Sequence, residues 1–331
     1  LTGTGGLLKT DLGRLVLTGN NSYQGDTFVQ NGTLEGNTNS IRNNIVNNGI
    51  VVFNQTQDGS FSGNVGGEGG VMIKDGAGML RLTGRSTLDW SIWGGALSST
   101  TEVFRGNLDI RSGATMRFEQ NASGSYDGNA RSSGNGDGRI EIAAGTGNSI
   151  AFTGDSSGFT GITTIETGAL AVNGQLGGRL VVNAGGRLGG AGTVGDALVS
   201  GTVAPGNSIG TLNVAGNIAF NPGSTYEVEI DAAGASDRVV AAGTATINGG
   251  AVNVLAGAGN YAQQTQYTIL TAAGGRTGTF TGVTSNLAFL DPALSYDAGN
   301  VYLTMTRNGT SFRNVGLTWN QIATGGTVES L

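Results

Sequence analysis

The chain has 331 residues, of which 62 are Gly, 3 are Pro and none is Cys or His, and its formal net charge is −6. With 37% hydrophobic and 12% charged residues, it is too apolar for a disordered polymer. Its basic residues are few and scattered, so neither nucleic acid nor an anionic membrane surface is an expected partner. No apolar run is long enough to span a bilayer as a helix.

The chain repeats itself from its first residues onward. The segment GGLLKTDLGRLVLTGNNSYQGDTFVQNGTL occupies residues 5–34; its first half recurs at residues 69–84 and its second half at residues 150–170. Each copy has an apolar strand, a Thr-Gly step, a polar turn and a second short strand. This frame resembles the passenger-associated repeat of autotransporters. Because Leu1 falls inside a repeat, we expect the chain to come from a longer precursor.

Short strands of the form apolar–polar–apolar recur roughly every 8–10 residues between Gly, Asn, Ser and Thr turn formers. Alternation puts the outer two residues of each triplet on one face of the sheet. An antiparallel sandwich gives similar spacing, but its hairpin signals are missing. We therefore predict an all-β, right-handed parallel β-helix (solenoid) with three strands per coil and a C-terminal β cap. The clearest triplets are Leu80-Arg81-Leu82, Leu108-Asp109-Ile110, Met116-Arg117-Phe118, Ile140-Glu141-Ile142, Leu212-Asn213-Val214 and Val252-Asn253-Val254.

Asparagine pairs mark some of the predicted corners. Asn43-Asn44 and Asn47-Asn48 either stack as side-chain ladders along the coils or are plain surface turns, and the sequence leaves both readings open. Two segments interrupt the repeat and are predicted to leave the stack as loops, residues 86–101 and residues 120–138. Residues 174–210 are rich in Gly and Val and predict slim, regular coils.

The C-terminal third changes character. SGTVAPGNSIGTLNVAGNIAF at residues 200–220, STYEVEID at 224–231 and YDAGNVYLTMTRN at 296–308 resemble, in order, the autochaperone region of autotransporter passengers. Residues 309–331 resemble the linker that enters the outer-membrane barrel of such proteins. The resemblance thus implies a β-helical passenger at 1–199, an autochaperone cap at 200–308 and the start of a linker at 309–331.

Enzyme chemistry is poorly supported by this composition. Without His or Cys, neither Ser-His-Asp and Cys-His arrangements nor zinc sites of His and Cys can be built. Gly154-Asp155-Ser156 looks like a fragment of an esterase motif, but it sits at the repeat turn that Thr18-Gly19-Asn20 occupies earlier. GNGDG at 134–138 lacks the spaced ligands of a calcium loop. We predict no catalytic residue, no cofactor and no metal.

Aromatic residues in the two predicted loops are the candidates for partner binding: Trp90, Trp93 and Tyr126. Taken as sharing one face of a strand, Trp90 and Trp93 form an exposed pair for sugar or protein, or a hydrophobic plug where the loop leaves the stack. In the cap, Tyr226, Val228 and Ile230 are predicted to face inward, with Glu227 and Glu229 outward.

The resemblance implies a passenger on the surface of a Gram-negative bacterium, or secreted from it, that has crossed the periplasm and outer membrane. Its expected role is that of an adhesin or self-association factor whose C-terminal end nucleates folding. The expected partners are a host-cell or matrix receptor, another copy of itself, and its own outer-membrane barrel. Two alternatives are a passive stalk for a separate functional head and a polysaccharide-active β-helix enzyme using grouped carboxylates.

Overall fold

The computed structural model describes residues 1–311 and 318–329. Short strands separated by turns account for most of this chain. The first eighteen strands are β1 (Thr2–Gly3), β2 (Leu7–Lys9), β3 (Arg14–Val16), β4 (Ser22–Tyr23), β5 (Thr27–Val29), β6 (Thr33–Gly36), β7 (Ile45–Asn47), β8 (Ile50–Asn54), β9 (Gly59–Phe61), β10 (Val65–Gly66), β11 (Val71–Asp75), β12 (Met79–Leu82), β13 (Trp90–Ile92), β14 (Ala96–Ser99), β15 (Leu108–Arg111), β16 (Thr115–Glu119), β17 (Gly124–Tyr126) and β18 (Ala130–Ser133).

The second half of the chain contains longer strands, some of which bend through a corner and serve two faces of the stack. They are β19 (Arg139–Ala143), β20 (Ser149–Phe152), β21 (Asp155–Ser156), β22 (Ile162–Val172), β23 (Gln175–Val182), β24 (Gly186–Gly190), β25 (Thr193–Val199), β26 (Thr202–Pro205), β27 (Thr211–Val214), β28 (Ile218–Phe220), β29 (Thr225–Ile230), β30 (Arg238–Ala241), β31 (Ala245–Ile247), β32 (Ala251–Ala256), β33 (Gln264–Ala272), β34 (Arg276–Gly278), β35 (Gly282–Ser285), β36 (Leu290–Tyr296) and β37 (Asn300–Arg307).

Most strands pair in parallel with a strand one coil away, which is usually two or three strands along the chain. Thus β10 pairs with β7, β11 with β8 and β12 with β9. Further along, β13 pairs with β11 and β14 with β12, and parallel pairing between coils continues until β35 pairs with β32. The result is a parallel β-solenoid of about 11 turns, which confirms the predicted β-helix with three strands per coil.

Residues in register form rows that run along the solenoid. Leu80, Leu97, Met116 and Ile140 make one such row, and all four are fully buried. The next position of each strand points outward, where arginine and glutamate side chains form ion pairs such as Arg117–Glu141 at 3.2 Å. All six predicted apolar–polar–apolar triplets have this inward–outward alternation.

Glycine lines one corner of the slim coils between residues 174 and 210. A Cβ atom on Gly178 would lie 2.3 Å from the carbonyl oxygen of Gly161, and one on Gly195 would lie 1.8 Å from that of Gly178. Gly178 also has a positive φ of 69°, which side chains disfavour. Only glycine at these positions lets successive coils approach so closely.

The two predicted loop excursions are wrong. Within residues 86–101, β13 pairs with both β11 and β15. Within residues 120–138, β17 pairs with β20 and β18 with β15. Both segments stay in the stack because their few large side chains are enough to fill the core of one coil, although their intervening residues are small and polar.

The C-terminal end closes with antiparallel strands. β33 pairs in parallel with β30 on one edge and antiparallel with β37 on the other, and β36 then pairs antiparallel with β37. Within the cap predicted at residues 200–308, β29 and β32 instead belong to ordinary coils with parallel neighbours on both sides. Only β33, β36 and β37 belong to the antiparallel end, in which β37 covers the open edge of β33.

One helix, α1 (Trp319–Glu329), follows the solenoid. It begins with a capping box in which the backbone N–H of Thr318 donates to Gln321 Oε1, and the backbone N–H of Gln321 donates to Thr318 Oγ1. The rest of the predicted linker at 312–317 and 330–331 lies outside the described residues. Neither α1 nor any other helix in residues 1–311 and 318–329 has the length and apolarity needed to cross a membrane.

Substituting Val228 by Asp should lower the free energy of unfolding by roughly 3–5 kcal/mol, because it buries a carboxylate with no partner. Val228 has no exposed surface. Glu227→Gln is the matched control one residue away. It removes only a partly exposed ion pair with Arg187 and should cost about 1 kcal/mol or less. Urea denaturation checks both values; equal effects would show that Val228 is not a core position.

Candidate functional site

Trp90, a predicted partner-binding residue, is a core residue. Only 1% of its surface is exposed. Its ring stacks on Phe53 at a centroid distance of 6.1 Å, and its Nε1–H donates to Ser86 Oγ at 2.9 Å. The prediction that it binds a partner is therefore wrong. The alternative prediction of a hydrophobic plug agrees better with its burial in the core, although no loop leaves the stack here.

Tyr126 is also wrongly assigned as a binding residue. It is completely buried between Phe118 and Phe152, with centroid distances of 5.0 and 5.2 Å. Its hydroxyl donates to the carbonyl oxygen of Gly106 at 3.1 Å. Burial raises the pKa of this phenol above its ordinary value. Tyr126 thus fills the core of its coil, and its hydroxyl satisfies a corner carbonyl.

Trp93 is the one predicted binding residue that reaches the surface. It follows β13 and is 37% exposed. The guanidinium carbon of Arg111, one coil further on, lies 4.0 Å from the centroid of the Trp93 ring. Trp90 and Trp93 are three positions apart, so they cannot share a face of one strand. Trp93 and Arg111 instead offer a small stacked platform of an aromatic ring and a cation.

The three predicted cap residues all face inward. Tyr226 and Val228 are fully buried, and Ile230 is 1% exposed. Tyr226 packs against Phe220 at 5.7 Å between ring centroids, and its hydroxyl donates to the carbonyl oxygen of Ile269. The first contact lies within one coil, and the second ties that coil to β33 in the C-terminal region. The folding role assigned to these residues remains a prediction.

Asparagine and aspartate side chains form ladders at the corners. In each step, the side-chain oxygen of one corner residue accepts a hydrogen bond from the backbone N–H of the equivalent residue in the next coil. Asn44 Oδ1 accepts from Asn64 N–H at 2.9 Å, and Asn64 Oδ1 accepts from Arg85 N–H at 3.0 Å. A second ladder runs from Asp89 through Asn107 and Asn129 to Asp155. The predicted ladder is thus confirmed for Asn44 and for Asn48, whose Oδ1 accepts from the backbone N–H of Glu68 at 2.7 Å. In both, the side-chain oxygen accepts from the backbone and not from another side-chain amide.

Asn43 and Asn47 have other roles. Asn43 has a positive φ of 59°, and its amide donates to the carbonyl oxygens of Tyr23 and Gly25. Asn47 is buried and donates to the carbonyl oxygen of Val71 at 3.0 Å. Both residues tie neighbouring coils together at turns, so neither is a free surface amide.

Sequence reasoning missed Lys74, which has no exposed surface. Its ammonium donates to the carbonyl oxygens of Asp75, Gly76 and Gly94 at 2.8, 2.8 and 2.9 Å. Burial lowers the pKa of this amine to about 8. Because all its donors are used by turn carbonyls, Lys74 acts as a clamp between coils. The only signal in the sequence was a lysine inside an apolar run, VMIKD.

Asp237 makes a similar clamp near the C-terminal region. It is 1% exposed, and its carboxylate accepts the backbone N–H groups of Gly210 and Glu229, both at 2.8 Å. Burial raises the pKa of Asp237 to about 6 despite these bonds. Next to it, the two terminal guanidinium nitrogens of Arg187 donate to the carboxylate oxygens of Glu227 at 2.6 and 3.1 Å. A cleft of about 220 Å³ lies between these residues and the turn at residues 206–208.

A second groove, of about 440 Å³, follows the outer face of β13, β15 and β18. Its lining includes Asp89, Asp109 and Asp155, and Arg131 donates to Asp109 Oδ2 at 3.0 Å. Asp89 and Asp155 belong to the corner ladder. Within residues 1–311 and 318–329 no three carboxylates are placed to hold a metal ion. The groove therefore gathers carboxylates from separate coils. Two of them, those of Asp89 and Asp155, already accept hydrogen bonds from backbone N–H groups.

Two stretches of the chain, residues 7–35 and 150–172, match the family described as the passenger-associated-transport-repeat. An extracellular serine protease of Serratia marcescens is 39% identical over 180 residues, 51% of this chain and 17% of that protein. The adhesin BmaC autotransporter of Brucella suis is 30% identical over 188 residues, 57% of this chain and 4% of that protein. The repeat matches and these relatives together support an autotransporter passenger domain.

The passenger aligns with less than a fifth of the length of the relatives it matches. Its two repeat matches coincide with the first and third copies of the repeat in the sequence, and both lie in the solenoid. These relatives come from Gram-negative bacteria, and one of them is named extracellular. These relatives point to secretion or surface display in Gram-negative bacteria.

Replacing Asn64 by Ala should lower the free energy of unfolding by about 1 kcal/mol, because the backbone N–H of Arg85 loses its acceptor. Asn64→Asp keeps an acceptor at the same place, beside the cationic Arg85, and should change stability by less than about 0.5 kcal/mol. Thermal or urea unfolding of the two variants checks this. Equal losses would mean that the ladder bond does not stabilise the corner.

Proposed function

We propose that this passenger is a non-catalytic adhesive rod, which binds a host-cell or matrix receptor or another copy of itself. The observation that carries the proposal is the long side surface of the solenoid, on which each coil repeats the outward positions of the last. Such a surface suits many modest contacts made in parallel. The autotransporter relative named an adhesin supports this role.

The relatives named serine proteases do not carry a protease function to this segment. A Ser-His-Asp triad needs a histidine, and none of the 331 residues is His. A passive stalk that displays a separate head is the first alternative. The second is a polysaccharide-active β-helix, which the groove with Asp89, Asp109 and Asp155 favours, since paired carboxylates catalyse glycoside hydrolysis.

The proposal also covers secretion. We place the passenger at the surface of a Gram-negative bacterium after passage through the periplasm and outer membrane, with its own barrel as a partner. Residues 200–308 act as the autochaperone. In support of this role, the aromatic cluster of Phe220, Tyr226 and Phe280 lies at their centre. The antiparallel strands β33, β36 and β37 provide an end onto which further coils stack.

The adhesion proposal predicts that beads coated with the full chain clump or bind host cells or matrix. The control is beads coated with an unrelated parallel β-solenoid of similar length. If the coated beads bind nothing, the passive-stalk alternative replaces the proposed adhesive rod. Release of reducing sugar from a polysaccharide panel would instead establish the enzyme alternative.

The autochaperone proposal predicts opposite fates for two truncations. Residues 1–200 alone should aggregate or be digested, because the cut exposes the core and the unpaired edges of β24 and β25. Residues 85–331 keep the C-terminal end and should stay folded. Protease protection distinguishes them. Equal protection of 1–200 and the whole chain would remove the nucleating role from residues 200–308.

A further inference from the structure

Large apolar side chains are exposed almost only at one end of the rod. Of the ten that are exposed in residues 1–311 and 318–329, eight lie within residues 1–71, and the remaining two are Trp93 and Trp319. Elsewhere on the described surface the outward positions are mostly polar or small. The eight are Leu1, Leu8, Leu12, Val16, Phe28, Val46, Ile50 and Val71.

Three of these side chains form one continuous row. Leu8 is in register with Phe28, and Phe28 with Val46, on strands β2, β5 and β7. Each is the outward residue at the centre of its strand, with 59%, 43% and 39% of its surface exposed. The next residue in register is Gly66, which has no side chain. The row is therefore a raised apolar strip, one side chain per coil and about 4.8 Å apart, that ends on a flat surface.

The strip is bordered by two different polar rows. On the side where the strands begin, Asp26 and Asn44 lie next to the apolar residues. On the side where the strands end, exposed Gln30 and Asn48 take the corresponding places. Asp26 is the only charged residue among these four. The strip is therefore nearly neutral, with an acceptor on one border and amide donors on the other.

We infer that this strip is a contact surface for a second copy of the same chain, with the two rods side by side and parallel. The inference rests on the proposed adhesive function and names its partner. A two-fold axis along the strip sets Leu8, Phe28 and Val46 each against its own copy, so that apolar surface covers apolar surface. The same axis brings Asp26 of one rod opposite Gln30 of the other, a carboxylate facing an amide donor.

The antiparallel arrangement is less favourable. A two-fold axis along the strands, through Phe28, sets Leu8 against Val46 and brings the two Asp26 carboxylates to the same border. Like charges facing each other at an interface oppose binding. The parallel pair also fits rods displayed from one cell surface, which point the same way. Three side chains cover much less than the roughly 800 Å² per partner of a stable complex, so each contact is weak and gains strength from many copies.

The chain has no cysteine, so single cysteines can map the contact. Facing sheets lie about 10 Å apart, too far for a disulfide, and a short bismaleimide is the suitable cross-linker. We expect covalent dimers from Leu8→Cys, Phe28→Cys and Val46→Cys, each with itself. Ser60→Cys, an exposed outward position on β9, is the control and should give none above the collision background.

Other cross-linking patterns would overturn the inference. Dimers of Phe28→Cys alone, together with mixed dimers of Leu8→Cys and Val46→Cys, would establish the antiparallel arrangement. Equal yields from all four variants would show that the strip is not a specific contact.

Affinity provides an independent test. In sedimentation equilibrium, Phe28→Ser should weaken self-association by about tenfold or more. Val71→Ser, which removes a similarly exposed side chain outside the strip, should leave it unchanged. If wild-type beads clump but Phe28→Ser has no effect, the strip is not the contact and the adhesive function stands. If Phe28→Ser abolishes binding to host cells but not self-association, the strip serves a different partner and the inference fails.

Discussion

The fold depends on the hydrogen bonds between stacked coils. A backbone that pairs with the coil before and after it must place equivalent residues about 4.8 Å apart along the rod. Each inward position then becomes a row of side chains, and each corner becomes a column of turns. A corner has no strand to satisfy its N–H and carbonyl groups, and buried groups of this kind are costly to leave unpaired. The asparagine ladder supplies acceptors for corner N–H groups, and the buried Lys74 supplies donors for corner carbonyls. The glycine column at Gly178 instead lets the coils approach closely.

The ends of such a rod are its weak points, because the last coil has an unpaired edge and an open core. The C-terminal end meets both problems with an antiparallel turn of the chain. β37 covers the edge of β33, and the Asp297 carboxylate holds the tight turn between β36 and β37 by accepting N–H groups from Gly299 and Asn300. These bonds and the one from the Tyr302 hydroxyl keep the pKa of Asp297 well below its ordinary value.

Function on this scaffold belongs to the outward positions. The inward rows are filled with aliphatic and aromatic residues, and the polar clamps at Lys74 and Asp237 are occupied by backbone groups. That leaves the Trp93–Arg111 platform, the groove beside Asp109 and the apolar strip at Leu8, Phe28 and Val46 as surfaces open to a partner. All three lie on the sides of the rod, where neighbouring copies or a receptor can approach.

The sequence alone is enough to predict the fold class, the three-strand coil and which residue of each triplet faces inward, because a period of two within a short strand has a single meaning for a sheet with one buried face. Its long motifs in a fixed order also predicted the resemblance to autotransporter passengers, which the repeat matches support. It could not determine that residues 86–101 and 120–138 remain in the stack. Their local composition is that of loops, and only the register with neighbouring coils draws Trp90 and Tyr126 into the core. The partner of an outward residue lies one coil away, 15 to 31 residues along the chain, as from Arg187 to Thr202 and from Thr246 to Thr277. This spacing varies from coil to coil, so the row of Leu8, Phe28 and Val46 exists only in the tertiary structure.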